Sequence, residues 1–116
     1  MKRGDVILIR FPHPSGMRGK KRPAVVVQAD AYAPSLRTAV VAEVTKNLSM
    51  ANDPACLFID TSTPDGQATG MPFDSVVSCL LLATIDVDKV DRVLGMISGN
   101  MKAKLNDCLK AALEIT

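Results

Sequence analysis

Rings are scarce in this chain of 116 residues. Phe11, Tyr32, Phe58 and Phe73 are its only aromatics, tryptophan is absent, and His13 is the single histidine. A core must therefore be assembled from Val, Leu, Ile, Ala and Met, and a function resting on stacked rings is disfavoured. One histidine and three scattered cysteines (Cys56, Cys79, Cys108) give no zinc-type spacing, and no acidic cluster follows a calcium-loop pattern. A nucleophilic triad would have to take its base from His13. GxGxxG and Walker-type loops are missing. These absences leave metal-free chemistry or none, and no cofactor is expected. No CxxC pair occurs, and two of the cysteines lie in apolar runs, which predicts buried free thiols in a reducing compartment. The first apolar run, Val6 to Ile9, is closed by Asp5 and Arg10, shorter than a signal-peptide core and far shorter than a membrane span. The expectation is a cytoplasmic protein with no membrane partner.

What is present is strand-like. The length suits one domain, residues 1–116, with a single modest core. The runs DVILIRF (5–11), RPAVVVQ (22–28), TAVVAEVT (38–45), ACLFID (55–60) and SVVSCLLLAT (75–84) are short, β-branched and bounded by turn residues, which predicts five strands. Pro23 suits a strand start or edge, because it donates nothing to a ladder. Near the end of the chain the period changes. Met101, Leu105, Cys108, Leu109 and Ala112 share one helical face, with Ser98 or Asn100 available as cap. DVDKVDRVLG (86–95) reads as a shorter helix closing at Gly95. The pattern is mainly β with a C-terminal α-helix, a small, strongly bent barrel whose open end the helix covers.

Charge is unevenly placed. The net +2 divides into +6 over residues 1–46 and −4 over residues 47–116, and a basic half suggests an anionic partner. The densest stretch is RGKKRPAVVV, where Arg18, Lys20, Lys21 and Arg22 lead into an apolar strand. Arg22 stands where the loop meets the strand, its backbone fixed by pairing while its side chain reaches solvent. A rigidly mounted guanidinium suits phosphate oxygens and a developing anionic charge. Arg18, Lys20 and Lys21 suit attraction to a nucleic-acid backbone, or simply a solvated loop. Thr45, closing the third strand, offers a hydroxyl to an oxyanion, or is only a β-branched strand residue.

The pieces RGDVILIRF, KKRPAVVVQAD, VVAEVTKN and DSVVSCLLLATID, in this order, resemble the MazF/PemK (Kid-like) toxins of type II toxin–antitoxin systems over nearly the whole chain. The resemblance implies an SH3-like barrel of the MazF/PemK/CcdB type that forms a homodimer. It implies metal-independent, sequence-specific cleavage of single-stranded RNA. It also implies a cognate antitoxin whose disordered C-terminal tail occupies the RNA groove, with DNA contacted only through that antitoxin. The arginine of the family's R-P motif falls on Arg22 and the hydroxyl residue after its third strand on Thr45, as catalytic residues. Ser78 takes the place of an RNA-binding arginine found in some members. His13 lies in the first loop, where some members carry a histidine, and is a candidate general base. The sequence departs from the family at Leu80, Leu81, Leu82 and Ala83, where many members carry acidic and arginine side chains. These leucines are expected to deepen the core or a subunit interface. A non-catalytic CcdB-like toxin with a protein target, and a plain β-barrel adaptor, are the rival readings.

Overall fold

The computed structural model describes residues 1–10 and 19–116. Six antiparallel strands form one sheet: β1 (Asp5–Arg10), β2 (Lys21–Val26), β3 (Thr38–Thr45), β4 (Cys56–Ile59), β5 (Ser75–Asp86) and β6 (Val90–Met96). Their spatial order is β4-β5-β3-β2-β1-β6. The first five coincide closely with the expected runs, because each is β-branched and ends at turn chemistry. A short helix, α1 (Pro64–Ala68), sits between β4 and β5, and a longer one, α2 (Gly99–Leu113), ends the chain.

The sixth strand corrects the sequence reading. Residues 86–95 form a single 3₁₀ turn at Val87–Lys89 and then β6, which pairs antiparallel with β1 from Asp5↔Met96 to Ile9↔Val90. Val90, Val93 and Leu94 have helical spacing, but β1 offers an unpaired edge, and a ladder along it satisfies the backbone groups that a lone short helix would leave open. Gly95 ends no helix. A Cβ there would lie 2.3 Å from the Ala68 carbonyl oxygen, so this glycine lets the 61–73 segment press onto β6. Gly70 serves the same contact from the other side. It has φ +74°, a left-handed conformation that favours glycine, and a Cβ would meet the Leu94 carbonyl oxygen at 2.1 Å.

Pairing in register alternates two apolar sets across the sheet. Val6, Val25, Ala42, Val44, Val77 and Cys79 join Leu57, Ile59, Ile97 and the buried face of α2 (Met101, Leu105, Cys108) in the larger core. Ile7, Ile9, Ala24, Val26, Val41 and Ile85 form a second cluster on the opposite side. The helix is the expected lid, packed over β4 and β5, with Ser98 as its cap, whose Oγ accepts from the Met101 N–H at 3.4 Å. All three cysteines are buried and free. Burial, with the neighbouring Cys108 and Cys56 thiols adding to it, pushes the Cys79 thiol up to about 12.

β5 contains an irregularity that matters for the site. Glu43 of β3 is opposite Ser78, and the adjacent Ala42 is opposite Leu82, so Cys79, Leu80 and Leu81 are extra residues in a bulge. Cys79 turns into the core and donates its N–H to the Ala55 carbonyl at 3.0 Å. Leu82 packs against the core, whereas Leu80 and Leu81 are 54% and 47% exposed and add nothing to it.

Candidate functional site

β2 mounts Arg22 opposite Ile9 of β1. On its other side the β2–β3 ladder begins only at Ala24↔Glu43, just past Pro23, which has no N–H to give. Continuing that register by two residues sets Arg22 across from Thr45. The strands part at this point, and the gap is the end of a groove of about 870 Å³. Lys20, Lys21 and Arg22 line one wall; Glu43, Thr45 and Lys46 line the next; Met71, Pro72 and Phe73 close a third. Leu81, from the β5 bulge, and Arg92, from β6, reach the same space.

Five cations and one carboxylate therefore meet here among the described residues. The Arg22 side chain is 60% exposed, with Nη1 3.8 Å from Glu43 Oε1; the Glu43 side chain is only 23% exposed. Lys21 is held differently, its Nζ donating to Asp91 Oδ1 at 2.9 Å. That hydrogen bond and the Lys21 charge, helped by Arg92 and Arg10, hold the Asp91 carboxyl below its usual range. Arg10 donates from Nη1 to the Gly19 carbonyl at 2.5 Å, which fixes the foot of the basic loop just before Lys20. Thr45 Oγ1 accepts from the Asn47 N–H at 3.1 Å, orienting the hydroxyl while its own hydrogen has no partner among the described residues.

The third wall is stitched in place from within. Thr63 caps α1 by accepting from the Gly66 N–H at 3.0 Å. Buried Thr69 donates to the Gly66 carbonyl at 2.6 Å and accepts from the Met71 N–H at 3.2 Å. Asp74 accepts from the Thr61 N–H and hydroxyl at 2.9 and 2.8 Å, and these bonds, the backbone one first, lower its pKa. Phe73 remains exposed with Lys46 Nζ 5.2 Å from its ring centroid, a cation–π contact.

Among the expected site residues, Arg22, Thr45, Lys20 and Lys21 converge on this groove. Ser78 does not. It is buried between β3 and β4 just before the bulge, and Cys56 Sγ donates to its Oγ at 3.9 Å, so a direct contact with RNA is not what its position offers. His13 and Arg18 lie outside the described residues. Glu43, Lys46, Phe73 and Arg92 were missed. Glu43 did carry a signal, as the one charge inside the apolar run VVAEVT.

A model of the PemK-like, MazF-like toxins of type II toxin–antitoxin systems matches residues 2–113. The chain belongs to the PemK/MazF toxin family. Endoribonuclease MazF6 of Mycobacterium tuberculosis is 30% identical over 118 residues, covering 99% of this chain and 98% of that protein. Endoribonuclease MazF2 of Mycobacterium bovis matches to the same extent. The fold agrees with two solved family structures. A mycobacterial endoribonuclease in complex with its cognate antitoxin superposes with a TM-score of 0.80 at 18% identity, covering all of this chain and 97% of the other. A MazE–MazF complex from Deinococcus radiodurans gives 0.77 at 18% identity, covering 100% and 98%. The mainly β architecture with its C-terminal helix is thus the PemK/MazF fold, with β6 as the strand that the sequence reading lacked.

Proposed function

We propose that this PemK/MazF toxin is a metal-independent endoribonuclease that cuts single-stranded RNA at short specific sequences. The observation that carries the proposal is the convergence of Arg22 and Thr45 at one end of a cationic groove. RNA brings its own nucleophile: the 2′-hydroxyl attacks the adjacent phosphorus, leaving a 2′,3′-cyclic phosphate and a 5′-hydroxyl. The protein has to align that attack and stabilise a phosphorane carrying two negative charges. Arg22 neutralises the developing charge, and the Thr45 hydroxyl donates to a non-bridging oxygen. Lys20 and Lys21 hold neighbouring phosphates. Unstacked bases are read at their edges by the groove's outer walls, with Phe73 exposed as a single stacking surface.

The single domain works as a homodimer in the cytoplasm and is silenced by a cognate antitoxin whose disordered C-terminal tail lies in the groove. The chain itself does not bind DNA. No helix among the described residues is long and apolar enough to cross a membrane. One observation favours a second reading. Leu80 and Leu81 are both exposed, Leu81 where it lines the groove, and exposed leucines suit a protein target and a CcdB-like mode of action.

Incubation of a long RNA of known sequence with wild type and Arg22→Ala, in chelator, separates the two readings. Cuts at a common short sequence, made by wild type alone and leaving 5′-hydroxyl ends, support the nuclease. Intact RNA with dimeric, antitoxin-free wild type overturns it in favour of the protein target. The arginine variant is expected to lose about 10²–10³ in turnover with its fold unchanged.

A further inference from the structure

Glu43 has no place in a groove built only to hold phosphates. It is the one carboxylate lining a space otherwise furnished by Lys20, Lys21, Arg22, Lys46 and Arg92 among the described residues, and a negative charge there repels the bound backbone. Nor is it a loosely tethered surface acid. Its side chain is largely covered, and its backbone is locked between Ala24 of β2 and uncharged Ser78 of β5. Strand alternation puts Glu43 and Thr45 on the same face, and Arg22 meets that face from the neighbouring strand. The 3.8 Å between Arg22 Nη1 and Glu43 Oε1 exceeds a tight hydrogen bond, so the remaining guanidinium donors stay available to a phosphate.

Resting on the nuclease reading, we infer that Glu43 is the general base of the RNA cleavage. A non-bridging oxygen on Arg22 and Thr45 brings the adjacent ribose 2′-hydroxyl to the Glu43 carboxylate. The proton passes from O2′ to the carboxylate, the O2′–P bond forms, and the P–O5′ bond breaks. The departing 5′ oxygen takes a proton from solvent water, and the resulting hydroxide recovers the proton held by Glu43. Charge and atoms balance without a metal or a second substrate. The role of base thereby falls on a strand residue and not on His13.

The test compares wild type, Glu43→Gln, Glu43→Asp and Glu43→Ala on an RNA containing one cleavage site, across a range of pH. Glutamine keeps an oxygen for Arg22 but accepts no proton, so kcat should fall by about 10²–10⁴ with KM unchanged. In wild type, kcat should decline towards acid as the carboxylate is protonated, and the glutamine variant should lack that decline. The aspartate variant should retain part of the rate, and added formate should partly restore the alanine variant. A merely structural role would give equal losses for Asp and Gln, no formate rescue and an unchanged pH profile. A folded glutamine variant cutting at the wild-type rate, or a wild type without an acidic decline, overturns the assignment. If wild type cuts and the variants cut equally well, only Glu43 fails; if wild type does not cut, the nuclease reading fails with it.

Discussion

The groove and the helix-covered core lie on the same sheet but are held by opposite means. In the core, Leu105 and Cys108 of α2 meet Val44, Ile59 and Val77 in a buried cluster where each position is fixed by many weak attractions. In the groove, the Arg22 side chain is mostly exposed and, among the described residues, its one charged partner is Glu43, at 3.8 Å. The core side chains have almost no chemistry. Two of them, the Cys79 and Cys108 thiols, are pushed up by burial, which keeps them protonated and inert at neutral pH. The groove side chains have chemistry but contribute little to folding. Stability and the proposed function should therefore be separable here, with the boundary along β3, where Val44 belongs to the buried core cluster and Thr45 only to the groove lining.

Two substitutions should pull that comparison apart most strongly. Arg22→Ala is expected to remove nearly all turnover and leave the denaturation midpoint where it was; a midpoint that falls with activity would erase the distinction. Leu105→Ala should do the reverse. Its fully buried side chain leaves a cavity costing about 2–5 kcal/mol, measured by urea unfolding, while the fraction still folded cleaves at the wild-type rate. Subtler effects sharpen the picture. Replacing Lys20 with alanine should flatten the log–log salt dependence of RNA binding by about 0.7 for each phosphate that is no longer neutralised. Lys21→Ala should do so less cleanly, because it also strands Asp91.

The smallest effect concerns the groove's third wall. Asp74 takes up a proton more readily in the unfolded chain than in the folded one, because the Thr61 N–H and hydroxyl favour its ionised form. Its stabilising contribution is thus complete above the ordinary carboxylate range and is lost as pH falls through the lowered folded value. Unfolding midpoints of wild type and Asp74→Asn, followed from neutral pH down to about pH 3, should converge at the acid end. The Lys21-bonded Asp91 behaves with the same sign.

Much of this arrangement was legible before any coordinates. β1 to β5 announce themselves because β-branched runs between turn residues have few alternatives, and α2 because its apolar stripe is long and capped by Ser98. The placement of Arg22 and Thr45 at strand ends beside one groove was legible because there local sequence and three-dimensional position nearly coincide. The α1 cap is also written locally, in Thr63-Pro64, although the helix it opens is only five residues long. β6 was not legible in the same way. Its spacing fits a helix, and only the free edge of β1, some eighty residues away in the chain, decides otherwise. The remaining groove residues illustrate the same point. Lys46, Phe73 and Arg92 come from the end of β3, a loop and β6, and no short window of sequence contains them together. Ser78 is likewise placed by distant pairing, opposite Glu43 of β3 and Cys56 of β4, which buries it and which no local window shows.

That bulge also makes one part of the groove adjustable. The pairing before it, Glu43↔Ser78, and after it, Ala42↔Leu82, is anchored on adjacent residues of β3. Positions 80 and 81 hang between these anchors as an extruded loop inside a strand, free of cross-strand partners on β3 and directed outwards. Both side chains are exposed and outside the core clusters, and Leu81 lines the groove, so a substitution there alters the groove's wall and no buried contact. The fold thus sets a changeable edge beside a fixed frame, so that what the groove admits can be altered without altering how the sheet is built.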